Sequence, residues 1–195
     1  MDPRFKDALR LVDEANARDP NRQLVDGVEQ PKELVYSQRM TSWLEKIAPD
    51  ASDKLRLAAR AQHICRWKIP RSDFPMDRVG YHRWRKTLSK FHADTVGELV
   101  AQAGYDRDTI GRVQALVLKQ QLKSDPETQT LEDVICLVFL EDYFADFSKK
   151  HDDEKLLTIL RKTWAKMSPR GQQLALGLDL DPTARTLIEK ALEGQ

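Results

Sequence analysis

Apolar positions fall at helical spacing along most of this chain. Phe5, Ala8, Leu9 and Val12 form one stripe, opened by Asp2-Pro3 and fading at Asp19-Pro20. Asn21 to Pro31, with Gly27 and no periodicity, reads as a loop. A second helix fits Pro31 to Ile47, turning Leu34, Val35, Met40, Trp43, Leu44 and Ile47 inward before Pro49-Asp50 ends it. A third starts near Ser52-Asp53, runs through Leu55, Leu57, Ala58, Ala61, Ile64, Cys65 and on to Trp67, and is closed by Pro70. Its small and apolar residues lie on more than one side, as in a helix buried within a core.

After an irregular stretch from Pro70 to Gly80, a fourth helix from Tyr81 to Ala103 carries Leu88, Phe91, His92, Val96, Leu99 and Val100, with Gly104 as its cap. A fifth starts at Asp106 or Asp108 and runs through Ile110, Val113, Leu116 and Val117. Ser124-Asp125-Pro126 opens the most apolar run of the chain, Leu131 to Leu140, which reads as the central core element. Further helices begin near Asp152-Asp153, Ser168-Pro169 and Asp181-Pro182. The pattern predicts an all-α fold: one domain over 1–195, with a core at 31–147 and C-terminal helices at 148–195 packed on it.

Charge narrows the function classes. Thirty-two basic and 31 acidic residues leave a net charge of +1, which argues against nucleic-acid binding through global charge. A local basic and aromatic patch, Tyr81-His82-Arg83-Trp84-Arg85-Lys86, keeps RNA open as a partner. Cys65 and Cys136 sit in apolar helical segments without CxxC spacing and read as reduced core thiols of a cytoplasmic protein. Met1-Asp2-Pro3-Arg4 has no apolar signal region, and no run approaches the ~20 apolar residues of a membrane span.

The informative positions are polar groups set into apolar helices. Gln62, His63 and Arg66 interrupt the Ala-rich third helix, His92 lies between Phe91 and Val96, and Asp133 shares a stripe with Leu137, Leu140 and Phe144. A buried polar group costs about 1–3 kcal/mol unless it is paired, so such groups form either a satisfied network or a site. Glu132 is explained by the helix dipole, whereas Asp133 sits too far along its helix for that. His151-Asp152 follows two lysines with no apolar frame and reads as a solvated loop with a helix cap.

The succession Tyr36-Ser37-Gln38-Arg39-Met40, Leu57-Ala58-Ala59-Arg60-Ala61-Gln62-His63-Ile64, His92 and Glu132-Asp133 resembles the HD-domain superfamily of helical, mostly metal-dependent phosphohydrolases. The similarity covers about Pro31 to Leu140 and implies an HD-like bundle with a C-terminal extension. Tyr36 stands where that frame has its first His, Gln62-His63 where it has His-Asp, and Lys119-Gln120 where some members have a further His pair. His92 and Asp133 keep a family ligand type. Over its full length the chain also resembles a domain-of-unknown-function family of bacterial and fungal proteins, sometimes labelled glutamyl-tRNA synthetase-related. That resemblance rests on Asp13-Glu14-Ala15-Asn16, Asp19-Pro20-Asn21-Arg22, Pro31-Lys32-Glu33-Leu34, Gln62 to Trp67, Pro75-Met76-Asp77-Arg78 and Lys162 to Pro169.

Three readings follow. In an HD-like hydrolase, His63, His92 and Asp133 hold Zn, Mn or Fe or handle protons, and a metal-bound water attacks a phosphorylated small molecule. Arg66 and Lys119 would hold the anion, with Gln62, Tyr36, Arg39, Arg71 and Trp67 completing the ligand contacts. In a sensor, the metal is lost and the site reads an anionic metabolite. In a helical interaction module, the polar cluster is structural and the Tyr81 to Lys86 patch meets a partner. Arg83, Arg85 and Lys86 read as solvated, and Arg66 as functional.

Overall fold

The computed structural model describes residues 2–180 and 182–193. They fall into two compact units, 1–121 and 122–195. Ten α-helices and one small hairpin make up the described structure, so the chain is all-α.

In the first unit four of the five helices are started by a local side-chain acceptor for their free N–H groups. Helix α1 (Pro3–Asn16) is capped by Asp2, which accepts from Arg4 N, and buries Phe5, Ala8, Leu11, Val12 and Asn16. Helix α2 (Lys32–Ile47) buries Val35, Tyr36, Met40, Trp43, Leu44 and Ile47. Helix α3 (Asp53–Arg60) is capped by Ser52, α4 (Arg78–Gln102) by Asp77 and α5 (Arg107–Val117) by Asp106. Helix α1 packs on α2, α3 and α4, while α5 packs on α3 and α4. Helices α4 and α5 approach closely at Gly97, where an added Cβ would lie 2.4 Å from Gln114 Nε2. That amide donates to Ala93 O at 3.1 Å, which ties the two helices at the same point.

Three expectations are corrected here. The stretch expected to be a loop, 21–31, is an antiparallel hairpin of β1 (Arg22–Val25) and β2 (Val28–Pro31), with Val25 paired to Val28. Asp26 and Gly27 join the strands with φ of 49° and 80°, the two positive values a tight two-residue turn needs. Leu24 and Val28 are exposed, so no buried face stamps an alternating pattern on the sequence. Helix α3 ends at Arg60 instead of running on to Trp67: turns follow through Cys65, then one 3₁₀ turn over Arg66–Lys68. Helix α4 begins at Arg78 rather than Tyr81. Gly80 sits in its first turn because a Cβ there would meet Pro75 O at 2.0 Å.

In the second unit, α6 (Pro126–Val138) is capped by Asp125 and carries Leu131, Val134, Leu137 and Val138 inward. It passes through a wider helical turn, Phe139–Tyr143, into α7 (Phe144–Ser148). Helix α8 (Asp153–Trp164) is capped by Asp152, α9 (Pro169–Leu176) by Ser168, and α10 (Pro182–Leu192) ends the described chain. Helix α10 packs on α7 and α8, and α9 on α6. Asp181 of the expected Asp181-Pro182 start lies outside the described residues. Among the described residues no helix is long and apolar enough to cross a membrane. Cys65 and Cys136 are both buried and free of disulfides.

Candidate functional site

The first turn of α2 is set by a residue well before it. Buried Asp19 accepts from Glu33 N at 3.0 Å through Oδ2. Its Oδ1 accepts from Asn21 N and Nδ2, both at 2.9 Å. With the helix start fixed, Glu33, Tyr36 and Met40 share one buried stripe at i, i+3 and i+7.

The turn after α3 is held from α1. Buried Asn16 accepts the Cys65 N–H at 3.0 Å, and Cys65 takes the left-handed conformation at φ 51°. Few non-glycine residues adopt that region. The chain therefore leaves the helix, and His63 swings onto Tyr36. The two rings stack with centroids 4.0 Å apart and planes 13° from parallel. On its other sides His63 meets Glu33, with Nδ1 3.6 Å from Oε2, and the His92 ring, with centroids 5.9 Å apart. His92 donates from Nδ1 to Ile64 O at 2.8 Å. The carbonyl can only accept, so Nε2 carries the lone pair. Arg66 lies over the Trp84 ring at 5.1 Å, and Trp84 is fixed by donating Nε1–H to Ile69 O at 2.9 Å.

Several polar atoms of this cluster are buried and, among the described residues, lack a hydrogen-bond partner: Glu33 Oε2, Gln62 Oε1, Arg66 Nη1 and His92 Nε2. Glu33, Gln62 and His92 are each under one-tenth exposed, while the His63 side chain is 24% exposed and forms the open edge. Burial pushes the Glu33 carboxyl up to about 7, with Asp19 adding to the rise and Arg66 opposing it. Burial, then the positive charge of Arg66, holds His63 well below its ordinary value; Arg85 and Lys119 act the same way. Burial also takes His92 down to about 3, against the hydrogen bond to Ile64. At neutral pH the cluster thus holds two neutral imidazoles, a carboxyl near half-protonation and a cationic guanidinium.

The structure brings together Tyr36, His63, Arg66 and His92 of the predicted residues, and Gln62, beside His63 in the chain, is buried. Lys119 is half-buried at the end of α5 with φ 56°, and its charge reaches His63. Arg39 and Trp67 are half-buried in the same unit. Arg71 latches its own loop instead: its guanidinium donates to Phe74 O at 2.9 Å, Pro75 O at 2.6 Å and Asp77 O at 3.3 Å. Arg83, Arg85 and Lys86 are exposed. Asp133 belongs to the second unit, where Oδ1 accepts from Ser168 N at 2.8 Å and Gln129 Nε2 at 3.1 Å, and Oδ2 from Ser168 Oγ. Its neighbour Glu132 faces Lys166 Nζ at 3.6 Å. Among the described residues no three His, Cys, Asp or Glu side chains gather as a metal site.

Sequence reasoning missed Glu33, Asp19 and Asn16. The signal for Glu33 was its spacing to Tyr36 and Met40, which outweighs the dipole explanation that fits any acid in a first turn. Asn16 likewise continues the Ala8 and Val12 stripe of α1.

Comparisons with curated proteins and with solved structures give no match. A family model matches residues 6–188, nearly the whole chain and parts of both units. The chain belongs to the family described as a domain of unknown function, DUF4202.

Proposed function

We propose that the first unit binds a small phosphorylated or carboxylated molecule at the cluster around His63, in a frame related to that of HD-domain proteins. The observation that carries this reading is Arg66. Its guanidinium lies over Trp84 with Nη1 buried and, among the described residues, without a hydrogen-bond partner. A planar fork of donors of this kind suits an oxyanion, and Arg85 and Lys119 add to the positive field around the imidazoles. The HD relation is supported by adjacency: Tyr36, His63 and His92, at three positions of that frame, lie ring beside ring.

The HD resemblance implies a divalent cation, and the residues of the first unit do not fit one. Tyr36 stacks on His63 where the frame has an imidazole ligand, and among the described residues no three His, Cys, Asp or Glu side chains gather there. Arg66 and Lys119 would repel a cation placed near His63. No step of the proposal runs through a metal.

The test is a thermal-shift series on the full chain with inorganic phosphate, nucleotides, sugar phosphates and small carboxylates. A ligand at a hundred times its Kd stabilises by about 2.7 kcal/mol. At least one anion should shift the wild type by that order, and Arg66→Ala should lose the shift while keeping a helical fold. An equal shift in that variant, or no anion effect in the wild type, overturns the reading. Phosphate release from the binding ligand separates a hydrolase from a sensor, and elemental analysis of the purified chain tests the metal-free form.

A further inference from the structure

Resting on the anion site just proposed, we infer that its ligand is a hydroxyl-bearing anion, a sugar phosphate or sugar acid rather than a bare oxyanion. The argument counts donors and acceptors. Among the described residues the buried donor Arg66 Nη1 lacks a partner, and so do two buried acceptors, His92 Nε2 and the Oε1 of Gln62, the chain neighbour of His63; Glu33 Oε2, on a carboxyl near half-protonation, can act either way. A carboxylate or a fully ionised phosphate ester group answers Arg66 and nothing else, because it offers only acceptors. His92 Nε2 and Gln62 Oε1 call for O–H or N–H donors on the same molecule. His92 is the firmer of the two, since Ile64 O fixes its tautomer with the lone pair on Nε2.

Alternative partners are poorer. Inorganic phosphate keeps its O–H groups on the same centre that answers Arg66. An apolar acid would leave the acceptors unmatched and add an apolar chain against them. A cationic donor such as an amine would face the repulsion of Arg66, Arg85 and Lys119. Hydroxyls on a short carbon frame carry donors without charge, and the open edge at His63 gives them a way in.

The experiment is titration calorimetry on the full chain with matched pairs: ribose 5-phosphate against propyl phosphate, and gluconate against hexanoate. Inorganic phosphate is the common reference. A site built to hydrogen-bond hydroxyls discriminates strongly against analogues lacking them, so the hydroxylated member should bind at least about tenfold tighter. Whichever pair responds identifies the head group as phosphate or carboxylate. In His92→Phe, and separately in Gln62→Leu, the ratio of affinities between the hydroxylated and the plain member should shrink several-fold. Equal binding of hydroxylated and plain members, still abolished by Arg66→Ala, overturns this inference and leaves the anion site standing. Binding of neither pair, or binding indifferent to Arg66, removes the anion site itself.

Discussion

Glu33 Oε2 stands 3.6 Å from His63 Nδ1, at the open edge of an otherwise buried cluster. A carboxyl and an imidazole this close usually share a proton as an ion pair. Here burial and Arg66 keep the imidazole neutral, while burial raises the carboxyl to about 7. The proton therefore sits on the glutamate side near neutrality. That inversion makes the site sensitive to pH.

Replacing Glu33 should change the pH dependence of stability in a definite direction. The folded chain holds this proton up to about 7, and the unfolded chain releases it near 4.5. Between those values the folded state binds more protons, so stability falls as pH rises, by up to about 1.4 kcal/mol per pH unit for one proton. His92 acts oppositely: its folded value of about 3 lies below the ordinary 6.5, so stability falls as pH drops through that window. In Glu33→Gln the urea midpoint should gain on the wild type between about pH 5 and pH 8, and the acid-side decline should be steeper. A gap between the two chains that stays constant across that range would contradict the assignment.

Asp19 links the helix start to that titration. Asp19→Asn retains one acceptor for Asn21 and sets an amide against the Glu33 N–H. The expected cost is about 1–3 kcal/mol, measured by denaturant unfolding. Because the Asp19 charge contributes to the raised Glu33 value, the carboxyl resonance of Glu33 should titrate at lower pH in the variant.

The turn carrying His63 depends on Asn16. In Asn16→Ala the Cys65 N–H loses its acceptor while the left-handed Cys65 remains to be held. A loss of about 1–3 kcal/mol should follow, together with weaker anion stabilisation. Faster amide exchange at 61–66 than in the body of α4 would locate the change in that turn; uniform exchange would not.

Asp133 and Gly171 form a coupled pair in the second unit. Asp133→Ala leaves Ser168 N without its acceptor, at an expected cost of about 1–3 kcal/mol. Gly171→Ala would put a Cβ 2.7 Å from Asp133 Cγ, and overpacking of this kind costs about 1–3 kcal/mol. Removing the carboxylate makes room for that methyl, so the double variant should be more stable than the sum of the two losses implies. Strict additivity in a double-mutant cycle would exclude the contact.

Much of the helical framework could be read from residues close in sequence. Asp2, Ser52, Asp106, Asp125, Asp152 and Ser168 each cap the helix that follows them, and a cap is a contact within a few residues. The polar interruptions Gln62, His63, Arg66 and His92 were visible for the same reason, against their apolar neighbours. The hairpin at 22–31 reads as a loop in the sequence, because its exposed strands give no alternation on either side of Asp26-Gly27. The end of α3 could not be read. Ala61 to Cys65 suits a helix, and the residue that overrides this preference, Asn16, lies 49 positions away.

The sequence by itself determined that the chain is all-α, where most of its helices begin, and which polar residues need an explanation, because caps and stripes are short-range. Tertiary structure alone decided that His63 leaves its helix, that Glu33 meets it, and that Asp133 is answered by Ser168. Those outcomes rest on hydrogen bonds and desolvation between residues far apart in the chain, and no local pattern records which distant partner a buried polar group will find.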